Sequence, residues 1–528
     1  MTQTTFSAHG MVSAPHHLAA KAGLRVLEDG GNAIEAMVAA AAAITVVYPH
    51  MNAMGGDNFW LIQNGDKVTA IDACGAAAAA ADRKYYFDRG FNAIPARGPL
   101  AALTVAGAPS GWQAALEISS TRGGRLPLAR LFEDAIYCAR TGIPVAATLH
   151  RNASDKADSL RDVHGYADVF LPEGAPLRMG SKLKLPALAE TFDHLAAKGL
   201  DDFYRGELAR RIAADLTAAG SPIALADLEC HRPRLVTPLS LRLRQGTVYN
   251  LPPPTQGLAS LIILGLFDRL DCATVDSVAH VHAIIEATKK AFRIRDRHIV
   301  DPEFMTVDPK DFLNQDTLDR LAADIDPRQA APWPAPADSG DTVWLGAADN
   351  NGCVVSFIQS IYWEFGSGVV LPETGIVWQN RGTSFSLDET HHNCLKPHRR
   401  PFHTIQPALA HLDDGRLMAY GTMGGDGQPQ TQAAVFSRYA VFGQELQQAI
   451  TAPRWLLGRT WGAESADLRI ENRFDPMVID GLRQLGHEPH VTDAFDEIMG
   501  HAGAVVARPD GTFEGAADPR SDGSACGF

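Results

Sequence analysis

The segment Arg328–Ser360 reads RQAAPWPAPADSG, D, TVWLGAAD, NNG, CVVSFIQS. Arg328 to Gly340 is rich in proline and alanine and has no periodicity, the composition of a linker or a surface loop. The texture changes at Thr342. Thr342–Asp349 and Cys353–Ser360 are strand-like, and Asn350-Asn351-Gly352 between them is a turn. A β-hairpin is therefore expected whose first residue is a threonine directly after a linker at about 328–341. A threonine hydroxyl is a poor nucleophile until a base lies within hydrogen-bond reach. At a chain terminus it brings its own base, an α-amino group with an unperturbed pKa of about 8. Breaking the Asp341–Thr342 bond would create that terminus. A linker that can leave and a strand that stays fixed both suit self-cleavage. By itself, a threonine at a strand start reflects only its β propensity.

Outward from the hairpin, strands and helices interleave without regular βαβ units. Leu18–Glu28 has helical spacing and stops at Gly30-Gly31. Asn32 caps the next expected helix, whose Ala-rich run Ala36–Val47 is too short to span a bilayer and reads as buried. Asn58–Ile62 and Val68–Asp72 form an expected hairpin around Asn64-Gly65. Pro127–Arg140, Leu185–Lys198, Asp201–Ala219 and Val275–Asp296 read as amphipathic helices. The charges Lys289, Lys290, Arg293 and Arg295 on the last are expected to form a solvated face. After the hairpin, strands are expected at Pro407–Leu412, Arg416–Thr422, Leu468–Glu471 and Ala504–Pro509. Helices are expected at Gln430–Tyr439, Glu445–Ala452 and Pro476–Leu485. No internal repeat is visible, and the pattern suggests a layered α/β or α+β sandwich.

The 528 residues carry a formal charge of −14, which disfavours nucleic acid and anionic membranes as partners. The start of the chain, Met1–Gly10, lacks the basic and apolar pattern of a secretory signal. The seven cysteines are scattered, odd in number and without CxxC, which suits a reducing compartment, the cytoplasm. No organic cofactor motif appears, because Gly30-Gly31 lacks the strand-loop-helix context of a dinucleotide site. His391, His392, Cys394 and His398 in DETHHNCLKPH match no metal spacing, and no metal is expected there or elsewhere.

Many short stretches, in order, resemble the γ-glutamyltranspeptidase family of N-terminal-nucleophile hydrolases. They are MVSAPHHLAAKAGLRVLEDGGNAIEAMVAA (Met11–Ala40), NAMGGDNFWL (Asn52–Leu61), PSGW (Pro109–Trp112), LPPPTQG (Leu251–Gly257) and HAIIEATKKAF (His282–Phe292). The hairpin, FGSG (Phe365–Gly368), RRPFHTIQP (Arg399–Pro407), TMGGDG (Thr422–Gly427), APRW (Ala452–Trp455) and DPRSDG (Asp518–Gly523) follow. The resemblance implies an α+β fold, a four-layer αββα sandwich. It implies autocleavage between Asp341 and Thr342 into a large fragment, Met1–Asp341, and a small one, Thr342–Phe528. Both would remain in one intertwined sandwich, with a dimer of such heterodimers as the suggested oligomer. It places the nucleophile on Thr342, a supporting hydroxyl on Ser360 and the oxyanion hole on Gly424 and Gly425. Two successive glycines agree with that role, since they let backbone N–H groups approach a developing oxyanion.

The glutamyl-binding pattern of the family is mostly lost. The arginine that holds the substrate α-carboxylate falls on Cys74 and the acid after it on Gly75. A serine pair becomes His403 and Thr404, and residues that grip the α-amino group become Arg381 and Ser384. Arginine binds carboxylates through a planar fork, while Tyr362 and Trp363 add bulk beside the nucleophile strand. The expected substrate is thus a small anionic amide docked on Arg381, His403, Thr404, Tyr362 and Ser384. An oxamate-hydrolysing branch of the family, cytoplasmic and serving purine-ring catabolism, fits best. Glutathione hydrolysis or γ-glutamyl transfer, a glutaryl-type acylase, and a non-catalytic binding relative are the alternatives.

Overall fold

The computed structural model describes residues 3–65, 67–333, 341–458 and 467–528. The hairpin expected after Thr342 forms as β8 and β9 of the following set. In chain order the main strands are β1 (Thr5–Ser7), β2 (Gly10–Ala14), β3 (Asp57–Asn64), β4 (Lys67–Ala73), β5 (Arg234–Val236), β6 (Leu239–Leu243) and β7 (Gly246–Asn250). They continue as β8 (Asp341–Asp349), β9 (Val354–Tyr362), β10 (Ala408–Leu412), β11 (Leu417–Thr422), β12 (Ala502–Ala507), β13 (Phe513–Ala517) and β14 (Ser524–Gly527). One antiparallel sheet has the order β1-β13-β12-β11-β10-β7-β6 and the other β14-β2-β8-β9-β3-β4-β5. Both sheets take strands from before and after Thr342, so neither part of the chain can build the sandwich alone.

Two faces of each sheet are buried, and the strand alternation sorts side chains between them. In β8, Trp344 and Ala348 enter the layer between the sheets, with Phe59, Ile358, Leu409, Ala419 and Val505. Val343, Leu345 and Ala347 point outward onto helices. Those include α1 (His17–Glu28) and α2 (Ala33–Val47). On the far side of the other sheet lie α3 (Gly257–Phe267), α4 (Val278–His298) and α5 (Gly427–Phe436). The result is the expected four-layer αββα sandwich.

Several local readings hold for the reasons given. Asn32 caps α2 in a capping box with Glu35, and every residue of α2 is buried. The β3–β4 hairpin forms with Asn64 opposite Lys67. Two expected helices are each broken into two. Pro127–Arg140 becomes Leu128–Leu131 and Glu133–Thr141, and Asp201–Ala219 becomes Asp202–Arg205 and Glu207–Ala219, with Gly206 extended at the break. The expected solvated face of α4 is corrected more strongly. Lys289 and Arg295 are buried, because each has an acid beside it: Glu286 at 2.7 Å and Asp426 at 2.6 Å respectively. Of the expected linker, residues 334–340 lie outside the described residues. Its described beginning is tied down, with the Ala330 N–H donating to the Leu485 carbonyl (2.7 Å) and the Lys289 ammonium donating to the Ala331 carbonyl (2.6 Å).

Trp344, two residues from Thr342, shows how tightly the layer between the sheets is filled. Its indole N–H donates to Ser356 Oγ at 3.0 Å, and its ring lies over Gly503, where a Cβ would stand 2.5 Å from a ring carbon. Gly503→Ala must therefore displace the indole, and overpacking of this kind costs about 1–3 kcal/mol. A lowered midpoint of thermal unfolding is expected for Gly503→Ala.

Candidate active site

Thr342 begins the inner hairpin and is fully buried. By alternation it shares the inward direction of Trp344, toward the second sheet. The ladder is irregular here: Asp341 pairs with Tyr362 but Val343 with Gln359, so Thr342 alone faces both Ser360 and Ile361. The Gln428 side-chain amide at the start of α5 donates to Thr342 Oγ1 at 3.4 Å, and its Oε1 accepts from the Gln406 N–H. Ser360 is buried, and its Oγ accepts from the Tyr362 N–H at 2.8 Å. A Cβ at Gly56 would collide with the Ser360 carbonyl oxygen, which explains the Gly55-Gly56 pair in NAMGGDNFWL. Tyr362 itself has φ of +82°, a strained value for a side-chain-bearing residue.

Gly424 and Gly425, with φ of +114° and +53°, form the turn between β11 and α5. Only glycine adopts the first of these without cost. Among the described residues neither amide N–H donates a hydrogen bond. The turn is held from behind through its carbonyls. Gln256 Nε2 donates to both the Gly425 (2.8 Å) and Thr404 (2.6 Å) carbonyls, while Arg295 donates to Gln256 Oε1 (2.8 Å) and to Asp426. Gln256 and Gln428 were not picked out in the sequence, and Arg295 was read there only as a charge on a solvated face. Gln256 lies inside the quoted LPPPTQG, but nothing local distinguishes its side chain, whose amide donates to carbonyls 148 and 169 positions away and whose oxygen accepts from Arg295, 39 positions away.

Arg381 is fully buried beside this centre. Its guanidinium carbon lies 3.8 Å from the centre of the Tyr362 ring, and Nη1 donates to Thr404 Oγ1 at 3.3 Å. Among the described residues, Nε and Nη2 have no hydrogen-bond partner. Burial lowers the pKa of Arg381 to about 10, so the group remains cationic at neutral pH. Two orphaned guanidinium N–H groups in a buried position are costly unless something accepts from them.

The balancing charge is Asp57, at the start of β3. Its Oδ1 accepts from the Gly75 and Gly107 N–H groups, each at 3.0 Å, and its Oδ2 lies 3.0 Å from His403 Nε2. Burial raises its pKa to about 7 against the opposing pull of those bonds and of Arg381. His403 is held well below its ordinary value by burial and by the nearby Arg381 and Arg400 cations, and its Nδ1 has no partner. Ser384 stands one step back: its hydroxyl donates to the Phe402 carbonyl at 3.3 Å, propping the backbone that carries His403. Cys74 lies against Asp57 and His403, and its thiol is pushed well above its usual range by burial and by Asp57 and Asp72. At Gly75 a Cβ would run into the Val105 carbonyl oxygen, so no acidic side chain can stand there.

Metal-ligating side chains do converge in two places among the described residues: Asp57, Cys74 and His403, and His282, Glu286 and His487. In both, the groups already serve one another. Asp57 bonds His403, and His282 Nδ1 lies 2.8 Å from His487 Nε2. The His391–His398 segment is not among them.

A family model for gamma-glutamyltranspeptidase matches residues 19–528. The chain belongs to the γ-glutamyltranspeptidase family. It is accordingly a hydrolase acting on amides. Within the family it is 55% identical, over the full length of both chains, to the oxamate amidohydrolase proenzyme of Klebsiella pneumoniae. It is 39% identical, again over both full lengths, to a glutathione hydrolase-like proenzyme of Bacillus subtilis. The structure is similar to that of a cephalosporin acylase from Bacillus halodurans, with a TM-score of 0.92 and 33% identity, covering 100% of this chain and 97% of the other. Among the described residues of this family member no helix is long and apolar enough to cross a membrane.

Proposed function

We propose that the chain cuts itself before Thr342 and that the mature enzyme hydrolyses oxamate to oxalate and ammonia. The observation that carries this reading is the buried Arg381, whose unpartnered Nε and Nη2 supply a two-pronged carboxylate seat beside the nucleophile strand. The similarity to an oxamate amidohydrolase proenzyme supports it independently.

In processing, Thr342 Oγ attacks the Asp341 carbonyl carbon, the chain shifts from nitrogen to oxygen, and water cleaves the resulting ester. This frees the Thr342 α-amine. Strands from both fragments alternate within each sheet, so the fragments stay together after cleavage. In turnover, the carboxylate of oxamate docks on Arg381 with Thr404 and Tyr362 fixing the guanidinium. The amine takes the Thr342 hydroxyl proton as Oγ attacks the amide carbon, and the Gly424 and Gly425 N–H groups receive the oxyanion. The amine's proton goes to the departing nitrogen, and ammonia leaves. Water then gives a proton to the amine, attacks the oxalyl ester and releases oxalate. Ser360 supports Thr342 through the hairpin.

Cys74 and Gly75 speak against a γ-glutamyl or glutaryl-type substrate, since one presents a neutral buried thiol and the other has no room for a side chain. The seven free cysteines suit a reducing, cytoplasmic setting, with purine-ring breakdown as the source of such an amide. The test is intact mass of the purified protein together with ammonia release from oxamate and from a primary glutaryl amide, and glutamate release from glutathione. Two fragments meeting at Asp341/Thr342 with ammonia from oxamate alone support the reading. Turnover of glutathione instead would overturn the substrate.

A further inference from the structure

Three charged or polarisable groups meet beside Tyr362 and Thr404, and the reaction just described uses only one of them, Arg381. The others are Asp57 and His403, both without solvent exposure. With Asp57 ionised, its Oδ1 is occupied by the Gly75 and Gly107 N–H groups, so Oδ2 must accept from His403 Nε2–H. That tautomer leaves His403 Nδ1 as a bare lone pair, buried and without a donor. The Arg381 guanidinium and the Asp57 carboxylate then balance each other. A docked anion leaves one cation facing two anions, together with a lone pair, among fully buried side chains. Like charges brought together in such a setting share protons rather than remain ionised.

Resting on the reading of Arg381 as an anion seat, we propose that Asp57 is a positioning residue that takes up one proton, shared with His403, when an anion docks on Arg381. Wherever the proton sits within the pair, His403 Nδ1 becomes an N–H donor. Imidazolium beside carboxylate, or neutral imidazole accepting from a protonated Asp57, both place a hydrogen on Nδ1. One proton restores charge balance and also turns a repelling lone pair into a partner for the anion.

The neighbours leave this pair as the group that responds. Cys74, packed on Asp57, is held far above neutrality. Tyr204, which feels Asp57 from across the Gly107–Ser110 turn, is likewise raised. Arg400, which faces His403 and Cys74, is committed to Asp72 at 2.5 Å and Asp301 at 2.9 Å. Asp57 itself lies near 7, where a modest change in its surroundings shifts its protonation. The Thr342 amine, created by cleavage, acts on the chemical step and registers in kcat.

The measurement is calorimetric titration of the mature enzyme with oxalate in buffers of differing ionisation enthalpy, between pH 6 and 9. Above pH 7, uptake approaching one proton per oxalate is expected, with the apparent Kd rising toward tenfold per pH unit. KM for oxamate follows the same trend, whereas kcat does not. Asp57→Asn, whose oxygen keeps the Gly75 and Gly107 N–H groups while its amide donates to His403 Nε2, places the hydrogen on Nδ1 without a titrating carboxylate and should bind oxalate with no proton uptake and a flat Kd. His403→Gln gives the same loss if Asp57→Asn fails to fold. Oxalate binding without proton uptake in the wild type, or uptake that persists in either variant, would overturn the role of Asp57 while leaving Arg381 as the seat. Absence of any oxalate binding would overturn the anion seat and this inference with it.

Discussion

Replacing Thr342 by alanine leaves one uncut chain of full mass and no measurable ammonia release. Both losses have a single cause. In the proposed mechanism one Oγ attacks first the Asp341 carbonyl and later the substrate, and its side-chain partner among the described residues, Gln428, can donate but cannot act as a base. Removing the nucleophile of a covalent hydrolase typically costs about 10^4- to 10^6-fold in kcat. Ser360 cannot substitute: its oxygen is engaged by the Tyr362 N–H and it has no terminal amine beside it. The measurement is intact mass with an ammonia assay, and the far-ultraviolet circular dichroism should match the wild type. The alanine fits a site where Thr342 fills no apolar core. A cleaved or active T342A would remove Thr342 from the mechanism.

The second large effect is at Arg381. Arg381→Met leaves an unbranched apolar side chain beside Tyr362 but removes the guanidinium that stacks on its ring. Truncating one partner of a buried charged pair costs about 2–5 kcal/mol. A fall in kcat/KM for oxamate of about 30- to 5000-fold is therefore expected, carried mainly by KM. Arg381→Lys should rescue only part of this, because an ammonium cannot reproduce the planar fork. Self-cleavage provides an internal control for folding: it requires Thr342 and its surroundings but no substrate carboxylate, so Arg381→Met should still be cut. Normal KM for oxamate in cleaved R381M would disprove the seat.

How much of this was legible in the sequence depends on the range of the interactions involved. The β8–β9 hairpin, the capped helix α2 and the Asn64-Gly65 turn are set by neighbours a few residues apart, and the alternation and cap residues state them directly. Pairings such as Gln256 with Gly425, Arg295 with Asp426 and Asp57 with His403 span 100 residues or more. Arg295 illustrates the limit. On α4 it is indistinguishable by pattern from its exposed neighbour Arg293, and only the acid that the fold brings against it from the β11–α5 turn explains its burial. The same applies to Asp57, an unremarkable acid in a glycine-rich strand until Gly75, Gly107 and His403 close around it.

By itself, then, the sequence determined a layered architecture, α/β or α+β, through strand alternation and helical spacing, and its resemblance to the family implied the αββα sandwich. It also marked the threonine at the junction between linker and strand, because local composition changes there. The tertiary structure alone decided which charges are buried, which carbonyls brace the Gly424-Gly425 turn, and that Arg381 faces Asp57 with two donors free. Those properties arise from desolvation and from partners remote in the chain, and a linear pattern of residue types carries neither.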